Sequence, residues 1–191
     1  PVNRPITSRK SEVREELCVL AVRKGELQDA SLCAISLGSS TQYFYAGASY
    51  IANAPALNHP DDLDAHPFLA SKITYGPLDL EIRRENCLIN KRVSPRLSVK
   101  DHESLLQMTM DDLGVALLPA WMTHEHVRNG DLVRVLPAFR GPSVDFNVVF
   151  QPPRGMAPNL RAFVEFLKSK FKMNRPWEFD EDHENVVQVR L

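Results

Sequence analysis

The chain has 191 residues, of which 43% are hydrophobic and 25% are charged. This composition is typical of a globular protein with one sizeable core or two small lobes. Lysine and arginine together number 23 against 24 acidic residues, which gives a net charge of −1. A nucleic-acid-binding module usually carries a basic face, so this balance argues against DNA binding by this chain alone.

Targeting and redox signals point to the cytoplasm. No apolar stretch approaches the roughly 20 residues of a membrane helix, and the polar N-terminus has no signal-peptide core. Cys18, Cys33 and Cys87 are odd in number and show no C-x-x-C spacing. They predict a reducing compartment rather than a disulfide framework. The eight glycines form no phosphate-binding pattern, so no cofactor is predicted.

The first half of the chain predicts several strands and a short helix. Residues 17–22 are a continuous apolar run, typical of a strand buried on both faces. Strands are also predicted at 32–37 and 43–46, separated by a break at Gly38-Ser39-Ser40, and a helix at 48–54 ends before Pro55. Beyond a loop rich in proline and aspartate, the predicted strands are 68–75, 78–83 and 97–99.

The second half alternates helices with strands. Asp101 is placed to cap a helix over 102–113, and an apolar strand at 115–118 runs into Pro119. A short helical segment and an Asn129-Gly130 turn precede strands at 132–136 and 144–150, and a helix at 159–171 has lysines at its carboxyl end. This alternation predicts an α/β fold with mixed, mostly parallel sheets. The tail continues with the acidic run 178–184 and the apolar segment 185–191.

Several motifs occur in an order that resembles one family. The stretch from Asp112 to Phe139 contains L-G-V-A-L-L-P, and the other motifs are L-A-V-R-K-G-E-L (20–27), Ser49-Tyr50-Ile51, H-P-D-D-L-D-A-H (59–66), the strand and helix from Pro95 to Leu106, and R-A-F-V-E-F-L (161–167). Together they resemble the effector-sensing domain of LysR-type bacterial transcription regulators. The resemblance extends from about Val13 to Trp177.

The resemblance implies a two-lobed fold like that of periplasmic binding proteins. Residues 1–43 and 147–172 would form lobe I, 44–146 lobe II and 173–191 a C-terminal tail, with crossing strands near 43–46 and 144–148. A small effector would bind in the cleft, at the carboxyl ends of strands. The family further implies a homodimer or higher oligomer that contacts DNA only through a winged helix-turn-helix domain, which is absent from this chain.

The same resemblance supplies effector-binding candidates at the cleft, which are Arg23, Ser39, Ser40, Tyr75, Lys100, Asp101, His102 and Phe146. Amides at the helix start near Asp101 attract carboxylates, which favours a small carboxylate effector. Two alternatives stay open from the residues themselves. Asp101 is equally well explained as a simple helix cap, and Tyr75 and Phe146 as core side chains.

Three departures from the family pattern stand out. Only 12 residues precede Val13, too few for the strand and long helix with which family members begin this domain. Leu17 and Val19 occupy positions where the family commonly has glycine and aspartate. Asp111 and Asp112 place two negative charges at a helix end, against the helix dipole. One hypothesis is that residues 185–191 fill the sheet position of the missing strand.

Other chemistry is less well supported by the residues. His124 and His126 are two positions apart on a predicted helix and point away from each other, and the family match favours a structural loop over a metal site for His59 and His66. Ser39 and Ser40 lack the elbow of a hydrolase nucleophile. The sequence therefore favours a non-catalytic sensor, with a transport-type solute-binding protein or a truncated regulator that only oligomerises as alternatives.

Overall fold

The computed structural model describes residues 21–24, 33–72, 76–150 and 158–173, and they divide into two compact units. Of these residues, unit 1 contains 21–24, 33–38, 145–150 and 158–173, and unit 2 contains 39–72 and 76–144. Of the strand predicted at 17–22, residues 17–20 lie outside the described residues and 21–22 belong to a strand at Ala21–Lys24. The tail hypothesis for 185–191 also lies outside the described residues. In the part of the chain that is described, no helix is long and apolar enough to span a membrane.

Unit 1 consists of strands packed against one helix. Strand β1 (Ala21–Lys24) pairs antiparallel with β9 (Ser143–Phe150). Helix α4 (Pro158–Met173) confirms the helical period of the sequence, because Val164 is buried against Leu37, Val148 and Phe150. Burying one stripe of an amphipathic helix in this way is what holds such a helix in place.

The sheet of unit 2 mixes parallel and antiparallel pairs. Its strands are β2 (Cys33–Gly47, of which 39–47 belong to this unit), β3 (Phe68–Ala70), β6 (Pro95–Ser98), β7 (Val115–Pro119) and β8 (Leu132–Val135). Their order is β8-β2-β7-β3-β6, in which β3 runs parallel to β6 and β7, whereas β2 runs antiparallel to β7 and β8. The predicted mixed α/β sheet is confirmed, and the parallel pairs of this unit all involve β3.

Strand β2 corrects one local prediction. The Gly38-Ser39-Ser40 segment does not break the chain, because a single strand of 15 residues runs through it. Gly38 has a φ of +133°, a conformation that only glycine adopts without strain. The small residues therefore accommodate this φ within the strand and do not end it.

Two layers cover the two faces of this sheet. One is a hairpin of β4 (Leu78–Arg84) and β5 (Cys87–Val93), of which β5 was not predicted. Alternate hairpin residues, such as Leu80 and Ile82, bury against Phe44 and Phe68. The other face of the sheet, with Tyr45 and Leu118, packs against α2 (His102–Met110) and α3 (Ala120–Asn129). The unit also contains a short helix, α1 (Ala48–Asn53), and a 3₁₀ helix (Pro60–Ala65).

The acidic pair at the end of α2 has a structural role that the sequence did not reveal. Asp112 has a φ of +61°, and its carboxylate Oδ1 accepts a 2.8 Å hydrogen bond from the backbone N–H of Tyr50 in the first turn of α1. The carboxylate thus lies at the positive end of a second helix, where negative charge is favourable. The Asp111 carboxylate accepts from Gln107 Nε2 at 2.9 Å.

Candidate functional site

The carboxyl ends of the parallel strands in unit 2 meet at one edge of the sheet. The backbone N–H of Val99 donates to the carbonyl of Ala70 at 2.9 Å, so the chain entering α2 lies beside the end of β3. Helix α3 begins directly after the end of β7. In open α/β sheets, ligands bind at such an edge because loops and helix starts converge there.

A concave pocket of about 410 Å³ opens at this edge. Its walls are largely apolar, with Phe68, Leu80 and Leu117 among the lining residues. Polar groups line it too, namely Gln42, Ser71, Lys72, Asp79 and Glu81. Apolar walls with a few convergent polar groups are the usual composition of a small-molecule site.

The pocket rim is held by backbone hydrogen bonds between segments far apart in sequence. Gly141 donates to the carbonyl of Gln42 at 2.8 Å, and Gln42 donates to the carbonyl of Pro142 at 3.2 Å. Arg83 and Arg140 exchange two backbone hydrogen bonds of 2.7 and 2.9 Å. Residues 140–142 therefore join the hairpin to β2 and fix Gln42 and Pro142 at the rim.

A second pocket of unit 2, of about 370 Å³, lies at the amino end of β7. Asp112 and Asp131 line it, together with Ala48 and Ser49. The Asp112 carboxylate already caps α1, and among the described residues that line this second pocket none is basic. This environment disfavours an anionic ligand, whereas the pocket at the carboxyl edge has Lys72 beside its two acidic residues and is the better candidate site for one.

Asp101 is the N-cap of α2. Its carboxylate accepts hydrogen bonds from the backbone N–H of Ser104 at 2.8 Å and from Ser104 Oγ at 3.0 Å. These bonds hold the pKa of Asp101 below its usual value, the backbone bond contributing most. Because the first-turn amides already bind a carboxylate, a second one would meet the negative charge of Asp101. Of its predicted neighbours, Lys100 is exposed and His102 is half-buried.

The other predicted candidates are distributed over both units. Arg23 lies in β1 opposite Asn147, and Phe146 is half-buried against the core of unit 1. Tyr75 is outside the described residues. Ser39 is half-buried and Ser40 is 2% exposed, and within the described part of the chain no group hydrogen-bonds Ser40 Oγ.

Of the predicted candidates that the structure describes, none lines the pocket, although Ser40 lies close to a lining residue in the chain. Ser40 lies two residues before Gln42 on β2, so their side chains share one face of the strand. Tyr75 lies three residues after Lys72 in the sequence. Gln42 and Lys72 were missed by sequence reasoning. Gln42 lies inside β2 and Lys72 two residues beyond the end of β3, and no local pattern in the sequence marks either of them.

The histidines of α3 make local contacts. His124 Nδ1 lies 3.2 Å from the Trp121 carbonyl oxygen, and His126 Nδ1 lies 3.4 Å from Asp131 Oδ2. Across residues 21–24, 33–72, 76–150 and 158–173, no group of three or more His, Cys, Asp or Glu side chains is placed to hold a metal ion.

Residues 10–172 match the protein family described as the LysR substrate binding domain. The chain belongs to this family. A transcriptional regulator of the helix-turn-helix type from Xanthomonas campestris is 31% identical over 170 residues, an alignment that covers 81% of this chain and 46% of the relative. This LysR substrate-binding domain spans about half the length of the relatives it matches.

Solved structures of regulatory domains share its fold. The regulatory domain of AphB from Vibrio vulnificus, treated with cumene hydroperoxide, superposes with a TM-score of 0.68 at 21% identity, over 78% of this chain and 74% of that one. The CrgA regulatory domain from Neisseria meningitidis gives 0.66 at 22% identity, over 80% of this chain and 74% of that one. The fold class predicted from the sequence, that of LysR regulatory domains, is confirmed.

Proposed function

We propose that this LysR substrate-binding domain is the small-molecule sensor of a transcription regulator, and that the pocket of unit 2 forms part of its effector site. The observation that carries the proposal is a largely apolar pocket with convergent polar groups at the carboxyl edge of β3 and β7. Family membership supports it, because the matched family is named for substrate binding. Sensing of this kind needs binding and no catalysis.

The lining of the pocket favours a small organic acid as the effector. Lys72 is exposed at the rim and provides a cation, while Ser71 and Gln42 provide hydrogen-bonding groups. The apolar walls suit a short hydrocarbon chain. Lys72 is the one cation among the described lining residues, so a monocarboxylate fits better than a dicarboxylate.

The wider assembly is part of the same proposal. Units 1 and 2 would correspond to the two lobes. The predictions that remain for the rest of the effector site are Arg23, Ser39, Ser40, Tyr75 and Phe146, and the start of α2, with Lys100, Asp101 and His102, remains the alternative location for the acid. The protein would be cytoplasmic and self-associating, and it would contact DNA only through a winged helix-turn-helix domain outside these 191 residues.

The test compares substitutions at two lysines. Lys72 represents binding of the acid in the pocket, and Lys100 represents binding at the start of α2. We expect hexanoate, and not hexanamide, to raise the melting temperature of the full chain, measured by thermal shift and confirmed by calorimetric titration. Lys72→Gln should weaken hexanoate binding about tenfold, which corresponds to one charge-assisted contact. Lys100→Gln is the matched control and should leave the affinity unchanged.

Two results would contradict the proposal. Loss of binding in Lys100→Gln with full binding in Lys72→Gln would place the acid at the start of α2. No response of the wild-type chain to any of a series of short carboxylates would remove the acid-sensing role of the pocket.

A further inference from the structure

We infer that Gly141 sets the depth of the unit 2 pocket through Leu117, and thereby the length of the acid that the pocket admits. This inference rests on the proposed function for its ligand. Its steric part rests on the structure alone.

Gly141 has no room for a side chain. A Cβ atom built on Gly141 would lie 2.8 and 2.9 Å from the two Cδ atoms of Leu117 and 3.2 Å from its Cγ. Carbon atoms in ordinary contact are about 3.5–4.0 Å apart. The φ angle of Gly141 is outside the positive range, so its φ does not require glycine. Leu117 is therefore the obstacle to a side chain at this position.

The backbone at Gly141 cannot easily move away from Leu117. Gly141 donates to the carbonyl of Gln42 at 2.8 Å, and the residues on either side of it are bonded to Arg83 and to Gln42. Moving this segment would break hydrogen bonds that join the hairpin to β2. A substituent at position 141 is accommodated instead by the flexible end of the Leu117 side chain.

The space available to Leu117 is the pocket. Its strand neighbours Ala116 and Leu118 face the opposite side of the sheet, so Leu117 shares a face with Val115, which is fully buried. Close-packed neighbours leave little freedom in that direction. Leu117 itself is half-buried and lines the pocket. A methyl group at position 141 would push its Cδ atoms about 1 Å toward the cavity, to reach ordinary contact.

The test measures the longest acid that each variant binds. Calorimetric titration of the full chain with acetate, butyrate, hexanoate and octanoate should show affinity rising about fourfold per methylene until the pocket is full. Gly141→Ala should shift that maximum to an acid shorter by one or two carbons. Leu117→Ala should shift it to a longer acid.

A double variant shows whether the effect passes through Leu117. Once Leu117 is truncated, a Cβ atom introduced at position 141 no longer meets the Cγ and Cδ atoms that obstruct it. Leu117→Ala alone and Leu117→Ala combined with Gly141→Ala should therefore have the same maximum. The inference is overturned if Gly141→Ala folds and binds most tightly the same acid as the wild type. If Gly141→Ala does not fold, an unchanged maximum in Leu117→Ala overturns it.

Crystal structures of the wild type and of Gly141→Ala separate this inference from the proposed function. Leu117 methyl groups displaced into the pocket support the steric inference, even if no carboxylate binds. Unmoved Leu117 methyl groups overturn it, whatever the titrations show.

Discussion

At the scale of single residues, His66 shows how a family motif can serve structure. It ends the H-P-D-D-L-D-A-H segment, is 6% exposed, and its Nδ1 lies 2.8 Å from the Tyr50 hydroxyl oxygen. Burial lowers the pKa of His66 below 6.5, and the Ala56 carbonyl and the Asp62 carboxylate oppose this only in part. The Asp62 carboxylate itself accepts from the backbone N–H groups of Asn58 and His59, each at 2.8 Å.

The lowered pKa of His66 predicts an acid-sensitive stability. The unfolded chain binds the proton more readily than the folded chain, so the free energy of unfolding is highest above pH 6.5. It should fall as the pH drops below 6.5 toward the lower pKa of the folded state. Urea denaturation between about pH 7.5 and 5 measures this slope. His66→Gln keeps a hydrogen-bonding side chain without a titrating group and should flatten the slope.

His59→Gln is the matched control for that experiment, because His59 is an exposed member of the same motif. Comparing its slope with that of His66→Gln shows whether the acid sensitivity is specific to position 66. If His66→Gln showed the same pH dependence as the wild type, the origin of the acid sensitivity would lie elsewhere.

At the scale of elements, the junctions that follow α2 and α3 depend on glycine for different reasons. Gly130 ends α3 with a φ of +85°, and a Cβ there would meet nothing within 4 Å. Gly114 leads into β7 with a φ of +150°, and a Cβ there would collide with the carbonyl oxygen of Pro67 and approach its Cβ at 2.9 Å. That carbonyl also accepts from the N–H of Val115 at 2.8 Å.

Replacing the two glycines by alanine should therefore have unequal costs. Gly130→Ala introduces only backbone strain and should lower the free energy of unfolding by about 1 kcal/mol. Gly114→Ala adds a backbone collision and should cost about 3 kcal/mol or more. Urea titration of both variants gives the comparison. Equal costs would show that the Pro67 segment can move aside.

At the scale of the whole molecule, the described residues form separate cores in the two units. The core of unit 1 contains Val148 and Val164, whereas unit 2 has clusters on both faces of its sheet that include Ile82 and Leu118. Units with separate cores can open independently, with different free energies.

This division predicts local responses to core substitutions. Val164→Ala should cost about 2 kcal/mol and Ile82→Ala about 2–5 kcal/mol. Hydrogen exchange measured by mass spectrometry should then increase mainly in residues 145–150 and 158–173 for Val164→Ala. For Ile82→Ala it should increase mainly in residues 39–144. If hydrogen exchange increased equally in both units for each variant, the two units would form a single cooperative unit.

Local signals in the sequence predicted most of the described elements, although they missed β5 and broke β2 at Gly38. Helix α4 followed from its helical period, the end of α3 from Asn129-Gly130, and strand β7 from an apolar run stopped by Pro119. These signals are local, because backbone propensity, capping and side-chain periodicity act over a few residues. The ordered motifs gave the fold class, which the family match confirmed.

The pocket follows from contacts between segments that are distant in the sequence. Gln42, Lys72 and Leu117 are separated by long stretches of chain, and they meet because β2, β3 and β7 are neighbours and because Gly141 binds Gln42. The role of Asp112 also depends on tertiary packing. Its negative charge is unfavourable at the end of α2 but favourable at the start of α1, which lies beside it. Such contacts depend on which segments pack together, and local patterns in the sequence do not predict that packing.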